Sequence, residues 1–413
     1  MHPMVKPALR RGWRDLHTVQ FGMTPAHALT LGPVDLTTGS FLELLNGTRG
    51  TALLREEARR MDLPDGHADR LVARLTGAGL LDDPHGGGPE ADALRVRPEA
   101  LDRLRPDLAS LSLTTTGPGD PMRLLAARRA LRVQVRGAGR VGAVLASLLS
   151  GAGIGEVDVR DGGCVEPWDV APGGLTAEAV GDRRDTAARR AVRAAAPDRA
   201  RRRGPASPPE EDGGPGFSLV VLASRDDVAV HAPTPSAADS LIAAGTPHLY
   251  AGVVEGTGVV GPLVLPGETG CAGCLHQYRT DRDPVWPRLV AQWSSGARQR
   301  VRPCDLTLAM TVAGLAAAHA LTFLDGQLPS SAGARWETSL PRLDWQERPV
   351  PAHPACACAA AAKGKQEHTS EDGERRETMA EQRPSAGVRR RESPRVRRGT
   401  GAARPDGTWR AHV

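Results

Sequence analysis

The sequence predicts an α/β protein, in which a small winged-helix-like α+β module precedes a Rossmann-like nucleotide-binding domain and a disordered C-terminal tail follows. Three observations predict this arrangement. A strand–glycine loop–helix–strand pattern lies near the middle of the chain, a hairpin pattern with three helical patterns lies near its start, and a charged segment almost free of large aliphatic residues ends it. A chain of 413 residues is long enough for two or three domains.

The glycine loop belongs to the stretch LRVQVRGAGRVGAVLASLLSGAGIGEVDVRD, residues 131–161. Three glycines in G-x-G-x-x-G spacing separate the predicted strand RVQVR from an apolar helix: Gly137, Gly139 and Gly142. Glycine here permits a tight turn, the approach of a phosphate to bare backbone, and close packing of the helix on the strand. The next predicted strand ends at Asp161, whose carboxylate can accept hydrogen bonds from ribose hydroxyls. Because the N-terminus of the helix also suits a phosphate, this stretch predicts a nucleotide site.

The N-terminal segment, residues 1–84, predicts a winged-helix-like module. Two extended segments within residues 18–31 form a hairpin pattern, and three helical patterns follow it. A strand edge left unpaired by the hairpin can accept a peptide as an additional strand. DNA binding instead needs a basic recognition helix, whereas the third helical pattern (residues 65–79) carries charges of both signs. Peptide binding is therefore favoured over DNA binding, and a module docked permanently on the nucleotide domain remains the alternative.

Residues 85–120 are predicted to be a linker and packing segment, and residues 121–360 the nucleotide-binding domain. A polar, proline-rich stretch at 201–216 predicts a mobile loop. The buried strand pattern FSLVVLA follows it and ends shortly before Asp226 and Asp227. Since ligands bind at the carboxyl ends of strands in open α/β sheets, Asp226 is expected in the same crevice as the glycine loop. The alternative role is a helix N-cap, which is favoured more for Asp227 than for Asp226.

Two close pairs of cysteines predict a structural zinc site: Cys271 and Cys274 in C-x-x-C spacing, and Cys356 and Cys358 in C-x-C spacing. Four thiolates complete the tetrahedral shell of Zn²⁺ and leave no open position for catalysis. In a reducing compartment paired cysteines usually indicate a metal and not a disulfide. The other two cysteines, Cys164 and Cys304, stand alone and are expected to be core or loop residues.

The order of these features resembles the ThiF/MoeB-type adenylating proteins, which share their fold with ubiquitin-activating enzymes. The resemblance covers residues 131–358 and rests on GAGRVG, on Asp161, on LVVLASRDD, on GPLVLPGETGCAGC and on the cysteine pairs, in that order. It implies that the chain binds ATP with Mg²⁺. The three glycines would lie at the phosphates, Asp161 at the ribose, and Asp226 near Mg²⁺ and phosphate. It also implies a homodimer.

Two positions depart from the family's pattern. DVAPG corresponds to the family's N-L-x-R-Q, which puts Pro172 where a phosphate-binding arginine is expected, and GDRR puts Arg184 where a catalytic lysine is expected. Arginine keeps the charge of lysine but not its compact donor geometry. Clamping of phosphate stabilises the transition state in such enzymes, so these departures count against ATP turnover. Arg184 and Asp226 remain the predicted catalytic residues.

A narrower resemblance accounts for the departures. A winged-helix-like module ahead of such a domain, with GPLVLPGETGCAGCLHQYRTDRDPVWP after it, looks like the ThiF-like proteins of azoline-forming peptide pathways. This resemblance implies a protein that presents the leader peptide of a ribosomal precursor to a separate cyclodehydratase. The competing interpretation is an active ATP-dependent adenylyltransferase acting on the C-terminal carboxylate of a ubiquitin-like or sulfur-carrier protein. An NAD-dependent oxidoreductase is the third, since the glycine fingerprint also binds dinucleotides, but the cysteine pairs count against it.

The positive charge of the chain belongs to its tail. Residues 363–413 contain 13 Lys or Arg against 8 Asp or Glu, and the whole chain contains 53 against 48, so the remainder is formally neutral. The tail, residues 361–413, lacks the aliphatic residues needed for a core and is predicted to be disordered. Nucleic-acid binding by the folded part is not indicated. No signal-peptide pattern and no uninterrupted apolar run of membrane-spanning length occur, which favours a cytoplasmic protein.

Overall fold

The computed structural model describes residues 1–198, 216–295, 301–358 and 360. The predicted mobile loop at 201–216, apart from Gly216, and the predicted disordered tail at 361–413 lie outside these residues.

The described residues contain the strands β1 (Met4–Val5), β2 (Arg11–Trp13), β3 (Val19–Phe21), β4 (Leu29–Leu31), β5 (Leu81–Asp82), β6 (Arg132–Arg136), β7 (Glu156–Arg160), β8 (Leu219–Leu222), β9 (His248–Val254), β10 (Thr257–Val264), β11 (Ala334–Ser339) and β12 (Gln346–Pro349). They also contain the helices α1 (Leu36–Leu44), α2 (Thr51–Arg60), α3 (His67–Gly77), α4 (Pro89–Arg95), α5 (Pro98–Thr114), α6 (Asp120–Ala127), α7 (Arg140–Gly151), α8 (Arg184–Ala195), α9 (Asp227–His231), α10 (Asp239–Ala243), α11 (Ala272–Arg282), α12 (Trp286–Ser295) and α13 (Leu306–Leu324).

A seven-stranded sheet has the order β12-β11-β10-β9-β8-β6-β7. The strands β7, β6, β8 and β9 run parallel to one another, and β10, β11 and β12 extend the sheet with antiparallel pairing. The sequence of β8, LVVL, is almost entirely buried, as expected for a parallel strand covered on both faces. Helix α7 connects β6 to β7 as the crossover of a βαβ unit. The predicted α/β class with a Rossmann-like sheet is confirmed.

Helix α13 packs on α7 and on the strands β9 and β10. Among the described residues it is the one helix long and apolar enough to cross a membrane, with a mean hydropathy of 1.6. Its buried residues lie largely on one side: Leu308, Ala309, Val312, Ala313, Ala316, Ala317 and Ala320. The alanines allow the neighbouring backbone to approach closely, and packing in the core of the sheet accounts for the apolar sequence.

The N-terminal module consists of a three-stranded sheet in the order β2-β3-β4, the pair β1-β5 and the helices α1, α2 and α3. It has its own hydrophobic core, in which Phe21, Phe41 and Leu75 are each 0% exposed. The strands β3 and β4 form the predicted hairpin. The strand β2 was not predicted, because its sequence RGW is exposed and shows no alternation of apolar and polar residues.

The segment between the module and the sheet is mostly helical. Helices α4 and α5 pack with α6 around a separate cluster that includes Leu94, Leu104 and Leu125. Helix α5 is 17 residues long and contains Pro106. Within the predicted linker and packing segment, α4 and α5 thus pack against α6, the helix that leads into β6.

Replacing Ala316 by Asp should strongly destabilise the protein, whereas the same change at Ala318 should leave its stability almost unchanged. Ala316 is 0% exposed, and a carboxylate there would lose its hydration without gaining a partner, at a cost of about 3 kcal/mol or more. Ala318 lies on the exposed side of the same helix. Thermal denaturation compares the two variants, and equal melting temperatures would contradict this orientation of α13.

Candidate functional site

A cleft lies at the carboxyl ends of β6, β7 and β8, where open α/β sheets bind ligands. It consists of two neighbouring cavities of ≈ 720 Å³ and ≈ 610 Å³, and Ser224, Arg225 and Arg302 line both. The predicted site residues are divided between them: Gly139 and Gly142 line the larger cavity, and Gly137, Asp161, Arg184 and Asp226 line the smaller one. The cleft therefore brings together all six predicted nucleotide and catalytic residues.

The glycine loop packs tightly against the end of β8. Gly137 has φ = +110°, and a Cβ there would lie 2.0 Å from the carbonyl oxygen of Ala223. A Cβ on Gly142 would lie 2.0 Å from the carbonyl oxygen of Gly137. At Gly137 and Gly142 the geometry of the turn itself therefore leaves no room for a side chain. Gly139 differs, because the side chain of Arg225 lies beside it, with its Cγ 2.8 Å from the position of a Cβ.

The first turn of α7 lines the larger cavity. Its N-cap residue Gly139 offers no side chain to the backbone, and the N–H groups of Arg140, Val141 and Gly142 have no hydrogen-bond partner among the described residues. Nη1 of Arg140 donates to the carbonyl of Cys304 at 2.9 Å. The buried Nε of Arg140 has no partner in the described part of the chain. This set of free donors at a helix N-terminus favours an anion.

Asp161 lies between the glycine loop and Arg184. One carboxylate oxygen accepts from the N–H of Ala138 at 2.6 Å, and the other accepts from Nη1 of Arg184 at 2.9 Å. Asp161 thus fixes the loop in addition to lining the smaller cavity. Each carboxylate oxygen has a second lone pair, so both retain capacity for a ribose hydroxyl.

Arg184 is buried, with 3% of its surface exposed. Its guanidinium donates to the carboxylates of Asp161 at 2.9 Å and Asp169 at 3.1 Å, and to the carbonyl oxygens of Gly162 at 2.5 Å and of Cys164. All three nitrogens are engaged within the protein, and Nη2 also lies 3.5 Å from the carboxylate of Glu166. Most of the hydrogen-bonding capacity of Arg184 is therefore directed to partners in the protein itself.

Asp226 lines the smaller cavity and caps α9. Its Oδ1 accepts from the N–H groups of Val228 at 3.0 Å and Ala229 at 3.3 Å, and its Oδ2 lies 3.5 Å from Nη2 of Arg302. The N-cap that the sequence favoured for Asp227 is therefore formed by Asp226, because α9 begins at Asp227. One oxygen of Asp226 is committed to the helix.

A charged cluster in the cleft was not predicted from the sequence, and it consists of Glu166, Asp169 and Arg225. The guanidinium of Arg225 donates to Asp169 at 2.8 and 3.1 Å and to Glu166 at 2.7 Å. Burial alone would lower the pKa of Arg225, but its hydrogen bond to Glu166 and the charge of Asp169 outweigh burial and raise that pKa. The same hydrogen bond lowers the pKa of Glu166. The available sequence signal was the position of Arg225 directly before Asp226, just past the end of β8.

The four cysteines of the predicted metal site converge. Their Sγ atoms all lie within 4.8 Å of one another, and three separations are 3.8 Å for Cys271–Cys274, 3.6 Å for Cys271–Cys356 and 3.5 Å for Cys274–Cys358. Tetrahedral Zn–S bonds of about 2.3 Å place sulfurs about 3.8 Å apart, so the donor set fits zinc. The hydrogen bond to Cys274, together with burial, raises the pKa of Cys271. Without a cation the four thiols cannot all ionise.

The ThiF family model matches residues 119–360, more than half of the chain. The chain belongs to the ThiF family. The resemblance inferred from the sequence motifs is therefore confirmed.

Several solved structures share this fold. A structure of E. coli MccB with ATP matches with a TM-score of 0.61 and 15% identity over 87% of this chain and 99% of that chain. A structure of E. coli MccB with MccA-N7isoASN matches with a TM-score of 0.62 and 14% identity over 87% and 100%. The heterocyclase TruD matches with a TM-score of 0.55 and 18% identity over 89% of this chain but 44% of its own. At these identities the likeness is one of fold, and no curated protein matches the chain.

Proposed function

We propose that this ThiF-family protein binds a ribosomal precursor peptide through its N-terminal module and ATP in its cleft. It presents the peptide to a separate cyclodehydratase for azoline formation. The observation that carries the proposal is the outer edge of β4, which has no strand partner in the described part of the chain, in a module ahead of a ThiF domain. Supporting evidence comes from MccB, which matches this chain over nearly its whole length and has been solved with ATP and with MccA.

The outer edge of β4 presents the backbone of Thr30. Gly22 donates to the carbonyl of Arg10 on the β2 side of the sheet. In an antiparallel ladder the backbone N–H and C=O groups of successive residues point to opposite sides of the strand. Those of Phe21 therefore point towards β4, where the partner of Phe21 is Leu29. By the same alternation Thr30 directs its N–H and C=O away from the sheet. Since β4 has no second strand neighbour among the described residues, an added peptide strand can use both groups.

A groove of ≈ 190 Å³ lies beside this edge. Leu29, Gly79 and Thr115 are among the residues that line it, so it lies between β4, the end of α3 and the end of α5. Arg74 of α3 donates to the carbonyl of Gly32 at 3.1 Å and holds the helix along the strand. Backbone bonds at the edge would supply affinity, and this groove would select a side chain.

The cleft supports nucleotide binding better than nucleotide turnover. The free N–H groups of α7 suit a phosphate and Asp161 suits the ribose, while Asp226 retains one oxygen for Mg²⁺. Pro172 offers no donor for phosphate, and Arg184 is engaged by internal partners. An active adenylyltransferase acting on a carrier protein is the second candidate function, and robust ATP–pyrophosphate exchange would favour it. The assignment to the ThiF family counts against an NAD-dependent oxidoreductase.

The match with TruD supports the partner assignment. This chain covers 44% of TruD, so TruD contains a further part that this chain does not match. We assign that part to a cyclodehydratase, and we place the protein in the cytoplasm as a homodimer.

Thr30→Pro should weaken precursor binding about tenfold while leaving the fold intact. Proline removes the outward N–H, and a hydrogen bond of this kind contributes about 1 kcal/mol or slightly more, whereas edge strands tolerate proline. Fluorescence anisotropy of a labelled leader peptide, titrated with the full chain, measures the change.

Thr30→Val is the matched control, because it keeps the N–H and should keep the affinity. Equal affinity of the wild type and the Thr30→Pro variant would rule out the edge. Salt-dependent binding of duplex DNA in place of the peptide would refute the peptide-presenting function as a whole.

We further propose that the cysteine cluster holds one structural Zn²⁺ per chain, which ties the start of α11 to the segment after β12. Cys271→Ser should release the metal and lower the melting temperature by at least about 5 °C, since a structural zinc ion contributes directly to folding. The control is Cys164→Ser, which changes an exposed thiol outside the cluster. Elemental analysis that finds no zinc in the reduced wild type would exclude the site.

A further inference from the structure

Arg184 and Arg225 differ in which carboxylates would lose a cation partner if the arginine side chain moved. Departure of Arg184 would leave Asp161, whose side chain is 11% exposed, without a cation partner among the described residues. Asp169 would keep only Arg225 as its cation partner in the described part of the chain. A carboxylate that is largely buried is costly to leave without a cation partner. Arg184 is therefore fixed in place by the charges around it.

Arg225 can leave without leaving a buried charge unpaired. Asp169 would keep Nε of Arg184 at 3.1 Å and the N–H of Glu166 at 3.0 Å. The side chain of Glu166 is 42% exposed and would keep its hydrogen bond from the indole of Trp168 at 3.2 Å. Arg225 is therefore strongly paired with Glu166 and Asp169 in this structure, yet its side chain can move away without leaving a buried carboxylate unpaired.

The surroundings of Arg225 suit an anion. Its side-chain stem lies beside Gly139, the N-cap of α7, and its side chain lines both cavities of the cleft. The free N–H groups of the first turn of α7 and the unpartnered, buried Nε of Arg140 line the same space. A phosphate bound to this helix would lie within the neighbourhood of the Arg225 guanidinium.

We propose that Arg225 is the phosphate-binding arginine of this protein, and that it transfers from Glu166 and Asp169 to the phosphates when ATP binds. Arg225 would supply the positive charge that is missing at position 172, where proline stands in place of the phosphate-binding arginine expected in the family. A guanidinium can bind phosphate through two parallel hydrogen bonds, which compensates for those it gives up. This inference rests on the proposed binding of ATP in the cleft.

The test is calorimetric titration of the full chain with adenosine and with ATP and Mg²⁺. Arg225→Met should weaken ATP binding about 10- to 100-fold and leave adenosine binding and the melting temperature unchanged. Glu166→Gln should tighten ATP binding, because it weakens the acceptor that competes for Arg225. Arg184→Met is the control for a structural arginine, and it should lower the melting temperature and weaken both ligands.

The outcomes separate this inference from the function on which it rests. Wild-type protein that binds neither ligand would overturn both. Wild-type protein that binds ATP, together with an Arg225→Met variant of equal or higher ATP affinity, would overturn the inference alone. Loss of adenosine binding or of thermal stability in Arg225→Met would make Arg225 a structural residue and would likewise overturn it.

Discussion

The buried ion pairs of Arg184 with Asp161 and Asp169 determine the shape of the cleft. Through its other oxygen Asp161 holds the glycine loop at Ala138, and through its other oxygen Asp169 holds Arg225. The start of α8, the end of β7 and the loop before α7 therefore share one network. Removing Arg184 from this network would leave the carboxylate of Asp161 without a cation partner among the described residues, which is why Arg184 resists displacement.

The same network gives a physical reason for an arginine at position 184. The guanidinium serves two carboxylates and two carbonyl oxygens at once, and it has five donors in one plane. A lysine has three donors on a single nitrogen and could not reach all four acceptors. In this structure the guanidinium at the position expected to clamp phosphate pairs with acceptors of the protein itself. This favours a protein that needs the fold for recognition over one that needs it for chemistry.

Much of the fold could be predicted because its signals are local. The glycine loop, the buried run of β8 and the cysteine spacings each depend on residues close in sequence, and the predicted sheet and the convergence of Cys271 and Cys358 follow from them. The polar edge strands β2 and β12 lack an apolar alternation that would have revealed them. The N-cap was assigned one residue late because the sequence does not define the first residue of α9.

The charge network was beyond prediction for a different reason. Arg225 pairs with carboxylates 56 and 59 residues away in sequence, and those acids lie in a proline- and glycine-rich connection without periodicity. Only the folded arrangement of β6, β7 and β8 brings the three together.

A crystal structure of the full chain with a non-hydrolysable ATP analogue and Mg²⁺ would show whether Arg225 moves to the phosphates. We expect the guanidinium of Arg225 to lie within hydrogen-bond distance of a phosphate oxygen at the first turn of α7, and Arg184 still to contact Asp161 and Asp169. An analogue bound in the cleft with Arg225 unmoved from Glu166, or with Arg184 turned towards the phosphates, would contradict this expectation.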